Sequence, residues 1–201
     1  MTDQIKMAIK DLQLSNYAWD LDELMDQDYI EAHPLYKLID AIHLYDKVIL
    51  YFLLYNSLLR VLPCWEVTCL EKRPRQILMA LKRFLRDQNN GDLVLLDYSQ
   101  RTEPCVYDSG HCELEAASDA IANAVLYVLK KHPEYAAFSV SMVEISFEHI
   151  FIDDGFEQWF FDYAIPISFE KRYMTLNELS KFAIDDYSII AYENIYLALC
   201  S

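Results

Sequence analysis

Glycine is scarce in this chain: there are three, Gly91, Gly110 and Gly155, and no two are near each other. Neither the Gly-x-Gly-x-x-Gly dinucleotide fingerprint nor a phosphate-cradling P-loop can be written anywhere in it, because both need clustered glycines for close backbone approach to phosphate. A Gly-x-Ser-x-Gly nucleophile elbow falls for the same reason. His-Glu-x-x-His and Cys-x-x-Cys are also missing. Cys64 and Cys69, four residues between them, sit at the long end of ligand spacing and have no matching second pair, so a structural zinc site is not expected. No Asp-x-Asp-x-Asp-Gly calcium loop occurs. These absences leave no catalytic residue, metal or cofactor to assign.

Long apolar runs are short too. The best, Val48 to Tyr55, extends only loosely through Leu62, whereas a bilayer-spanning helix needs about 20 apolar residues. The start, Met-Thr-Asp-Gln-Ile-Lys, has no basic stretch followed by an apolar run and a cleavage site, so a cytoplasmic location is expected. Five cysteines, an odd number, then suggest reduced thiols rather than a disulfide framework.

What is present is acid and aromatic. The 201 residues carry a net charge of −15, with 54% hydrophobic residues, 15 Tyr and 10 Phe. That is enough for one hydrophobic core, and no repeat or linker divides it, so residues 1–201 read as one domain. Charge is unevenly spread: Arg60 to Arg86 holds seven bases against two acids, while residues 87–201 hold 20 acids and six bases. The basic stretch suggests pairing with acids of the same fold. The overall charge argues against nucleic acid as a partner.

Periodicity predicts an α+β fold, with several amphipathic helices packed on a small, mainly antiparallel sheet. Helical spacing is seen over Asp3–Leu14 and Leu21–Ala32. Pro34 fits the first turn of a long helix that Pro63 should end. A short strand is expected over Trp65–Leu70, a helix opened by Pro74, a strand over Leu93–Tyr98, and an Ala-rich helix over Leu114–Lys131 closed by His132-Pro133. Every second residue is large and apolar in Trp159, Phe161, Tyr163, Ile165 and Ile167. Val143, Ile145, Phe147 and Phe151 mirror this before Asp153-Asp154-Gly155, which predicts a long hairpin near 138–168, with Pro166 at an edge. Thr175 and Glu178 form a capping box for a last helix reaching about Ile184. The tail from Ser188 is open between helix and strand.

Three sets of residues are candidates for function. Asp20, Asp22, Glu23, Asp26, Asp28 and Glu31 make a dense acidic patch on the second helix, with Asp22 and Asp26 on one face. Asp153, Asp154, Phe156 and Glu157 place an exposed aromatic among acids at the hairpin tip, the kind of anchor that dominates interfaces with cationic proteins. Cys112, at a helix start beside His111 and near Cys105, is the one nucleophile candidate.

The first two sets together suggest a non-catalytic protein that binds and neutralises a basic partner protein. In size, acidity and lack of catalytic motifs the chain resembles bacterial immunity proteins, which occlude cognate toxins. That resemblance implies a toxin domain as partner and carries over no residue. The alternatives are an enzyme of unrecognised family using Cys112 and His111, and a structural subunit of an intracellular assembly. Oligomeric state is left open.

Overall fold

The structure, a computed structural model, describes residues 1–15, 27–69, 73–87, 112–151 and 155–180, with the isolated positions 194 and 197. Among the described residues every regular element is helical, which overturns the expected α+β fold and its sheet.

Helix α1, Asp3–Leu14, is opened by Thr2, whose Oγ1 accepts from the Ile5 N–H at 3.4 Å, and it buries Ile5 and Leu12. Helix α2 is Gln27–Ala32. Helix α3, Pro34–Tyr45, starts on His33, whose Nδ1 accepts from Leu35 N, and has Pro34 in its first turn as predicted. Leu35, Leu38, Ile39 and Ile42 form its buried stripe, and α1 packs on α3.

The single long helix expected after Pro34 is two helices. Asp46 takes an extended conformation, φ −163 and ψ 108. Its carboxylate accepts from Val48 N at 2.9 Å, which caps the next helix, α4, Lys47–Cys69. Helix α4 is the centre of the molecule, with every residue from Leu53 to Leu62 buried. Pro63 does not end it. A proline inside a helix removes one hydrogen bond at a cost of about 3 kcal/mol, which the burial of Leu53 to Leu62 just before it offsets. The strand expected over Trp65–Leu70 is therefore helix through Cys69.

Helix α5, Arg73–Asp87, buries Ile77, Leu78, Ala80, Leu81 and Phe84 against α4. Helix α6, Cys112–Lys130, and helix α7, Pro133–Phe151, form an antiparallel pair around Lys131-His132. Lys131 stands at φ 61, a left-handed conformation that ends α6. Small residues let the two backbones approach: Ala117, Ala120, Ala124, Ala136 and Ala137 are buried, and Ser139 Oγ donates to the Ala120 carbonyl at 2.8 Å.

The hairpin predicted near 138–168 is instead α7, then α8 (Gly155–Trp159), a π-helical turn (Phe160–Ala164) and α9 (Ile165–Phe169). The alternation was of large residues only. The buried hydrophobic set is Ala136, Ala137, Val140 and Val143, followed by Phe156, Trp159, Phe160, Ala164, Ile165 and Ile167. Those spacings of three and four are helical, and Ile145, Phe161 and Tyr163 are only half-buried. Gly155 opens a helix rather than a turn. Pro166 lies just after the π-turn, in the first turn of α9, not at a sheet edge.

The last described helix, α10, Leu176–Ser180, has the predicted capping box: Glu178 N donates to Thr175 Oγ1 at 3.3 Å and Thr175 N to Glu178 Oε2 at 2.8 Å. The strand expected over 93–98, the helix beyond Ser180 and, apart from positions 194 and 197, the tail from Ser188 fall outside the described residues.

Candidate functional site

The packing of α1 on α3, with α2 at one end, leaves a surface groove of about 570 Å³. Its wall carries Ala8, Pro34, Ala41 and Met7, the last 63% exposed. Asp11, Glu31 and Asp40 line it as acids, with Lys37 as the single base. The field there is negative enough to act on Tyr36: burial first, then the carboxylates of Asp40, Glu31 and Glu134, raise its phenol above the ordinary value. The groove thus joins apolar surface to net negative charge, the pairing that receives a cationic amphipathic segment.

The sequence reading located part of this site. Glu31 belongs to the acidic patch on the second helix; Asp22 and Asp26 lie outside the described residues. Asp11 and Asp40 were missed. Their signal is faint, because each is one acid on the polar side of an ordinary amphipathic helix. They come together only through the packing of α1 on α3.

Of the second set, one residue departs from expectation. Asp153 and Asp154 lie outside the described residues, and Phe156 is 3% exposed, its ring centroid 5.7 Å from that of Trp159 and 5.5 Å from that of Phe160. It is a core residue, not an exposed anchor, because α8 turns it inward where a hairpin tip would have presented it to solvent. Glu157 is exposed. Cys112 is the first residue of α6; His111 and Cys105 lie outside the described residues. Of the basic stretch, Arg60 is buried in α4 with its guanidinium 5.8 Å from the Trp159 ring centre, and Arg86 pairs with Asp87 of its own helix at 2.6 Å.

A second polar cluster, which no motif announced, gathers where α3, α4 and the α6–α7 turn meet. Tyr127 OH lies 3.0 Å from His43 Nδ1, and the Tyr127 ring contacts Tyr51 at 5.7 Å between centroids. Lys131 Nζ donates to the Tyr51 hydroxyl and lies 4.6 Å from the Tyr51 ring centre and 5.5 Å from that of Phe84. Burial governs the acid–base behaviour of all four. It raises both phenols, lowers His43, and lowers Lys131, with Lys47 adding to the last two.

Among the described residues no group of three His, Cys, Asp or Glu could hold a metal ion, and no helix is long and apolar enough to cross a membrane. Comparison with protein-family models, with curated proteins and with solved structures finds no match. Neither the helical fold nor these comparisons support the resemblance to immunity proteins, and it is not carried forward.

Proposed function

We propose that the chain is a non-catalytic binding protein that takes a basic segment of a partner protein into the groove between α1, α2 and α3. One observation carries this reading: Asp11, Glu31 and Asp40, from three different helices, border one groove that also exposes Met7 and Ala8. Opposite charge would steer the partner and fix its register, and the apolar wall would supply affinity once desolvated. A net charge of −15 favours the approach of cations over the whole surface. A cytoplasmic setting suits such a role and five thiols.

The test uses a fluorescein-labelled peptide with Lys and Leu at helical spacing, followed by anisotropy. Binding should weaken with salt. The pair Asp11→Lys/Asp40→Lys should weaken it by about tenfold or more, whereas Glu157→Lys/Asp162→Lys, the same change in net charge on α8 and the π-turn, should leave it within about twofold. Equal losses from the two pairs would mean that overall charge, not the groove, holds the peptide, and the reading would fail.

A further inference from the structure

We infer that the guest of the groove is anchored by an arginine, whose guanidinium lies on the Tyr36 ring and forks onto the Asp40 carboxylate. This rests on the reading of the groove as the site of a basic segment, and it names the residue type that holds the segment there.

The ring and the acid stand side by side. Tyr36 and Asp40 both line the groove and are four residues apart on α3, so they share a face. Helical side chains lean toward the N-terminus, which lays Asp40 over the turn that carries Tyr36. The Tyr36 phenol is raised by burial first and then by the charges of Asp40 and Glu31, as expected of carboxylates near a half-buried ring.

These groups are also uncommitted. Among the described residues no hydrogen bond, ion pair or ring contact engages Tyr36, Asp40 or Asp11, whereas Asp46 and Glu178 are bonded to Lys171 and Arg172 of the same fold. Even Lys37, three residues from Asp40 on α3 and in the same groove, makes no ion pair with it.

Ring and carboxylate together select among cations. A quaternary or methylated ammonium is held by a cage of rings, and Tyr36 is the only aromatic ring among the described lining residues. A lysine ammonium is a compact, strongly hydrated charge that meets either the ring face or a carboxylate. A guanidinium meets both at once: its plane stacks on the phenol while its edge gives two parallel N–H bonds to Asp40. Being weakly hydrated, it also enters a groove walled by Met7, Ala8 and Pro34 at less cost.

The test compares two fluorescein-labelled peptides of equal length and charge, with Leu at the same helical spacing and either Lys or Arg at every basic position, by anisotropy at one salt concentration. The Arg form should bind about fivefold or more tighter. Tyr36→Leu should remove most of that difference, and Tyr36→Phe, which keeps the ring, should retain it; the cycle of peptide and protein changes isolates the contact. A readout that needs no variant is the wild-type complex, in which the δ-protons of one arginine should show nuclear Overhauser contacts to the Tyr36 ring. Binding of the Lys form with a gain under about twofold for Arg, a gain that survives Tyr36→Leu, or no arginine contact to the ring would overturn the anchor and leave the groove reading standing. Binding of neither peptide would overturn both.

Discussion

The Asn56 side chain clasps the backbone around Met174: its Oδ1 accepts from Met174 N at 3.0 Å, and its Nδ2 donates to the Arg172 carbonyl at 3.2 Å. Asn56 is fully buried at the middle of α4, so a residue that interrupts the apolar run of the central helix is what fastens the segment between α9 and α10 to it. Asn56→Ala leaves a buried N–H without an acceptor. Its expected cost is about 2–3 kcal/mol, read as a fall in the urea midpoint at constant slope. A loss under about 0.5 kcal/mol would show that the clasp is not needed.

The Arg172–Glu178 pair should make stability depend on acid. Arg172 donates to both Glu178 oxygens, at 2.8 and 2.7 Å, and holds that carboxyl at about 2. Its folded pKa thus lies below the unfolded value near 4.5, so the contribution is present above about pH 4.5 and is lost as pH falls through about 2. The Arg172 side chain is 39% exposed, so solvent screening limits the pair to about 1 kcal/mol. Glu178→Gln should lower stability by that much at pH 7, with the gap closing as pH falls toward 2. A gap that is constant with pH would show that the charge of Glu178 is not what stabilises the fold.

Phe156 distinguishes the helical fold from the hairpin. Buried against Trp159 and Phe160, it should cost about 3–5 kcal/mol on change to alanine. Glu157→Ala, next to it and exposed, should change stability by less than about 0.5 kcal/mol. A small effect at Phe156 in thermal melts would return it to the surface.

Asp46 should be worth more than a surface acid. It caps α4 through Val48 N and pairs with Lys171. Asp46→Asn keeps a capping oxygen while Asp46→Ala removes it, so alanine should be the worse by about 1 kcal/mol in urea unfolding. Equal losses would place the whole effect in the ion pair.

Helix ends were more legible in the sequence than the elements between them. Thr175 with Glu178 and Pro34 are readable because both are local chemistry: a side chain meets a backbone group three residues away, or a missing N–H falls in the first turn where it costs nothing. The sheet does not form because much of the buried face of α7 is Ala and Ser beside Val140 and Val143, a face that the alternation of large apolar residues does not mark. Large aromatics at every second position from Trp159 to Tyr163 imitate a strand face. In fact a π-turn and two short helices bury Trp159 and Phe160 together. Pro63 does not end α4 because a helix already buried from Leu53 to Leu62 can absorb one missing hydrogen bond. The groove and the Lys131 cluster were out of reach for another reason. Asp11 and Asp40, or Tyr51 and Lys131, are tens of residues apart, and nothing in their local spacing records that they meet.

The α6–α7 pair has a kinetic consequence. Its helices are joined by Lys131 and His132 alone, so their contacts close short loops and incur little chain entropy before they form. Helix α1, by contrast, packs on α3, across α2 and the chain between them. The pair is therefore expected to be the folding nucleus, and Ser139→Ala, which removes the bond to Ala120, should slow refolding more than it speeds unfolding.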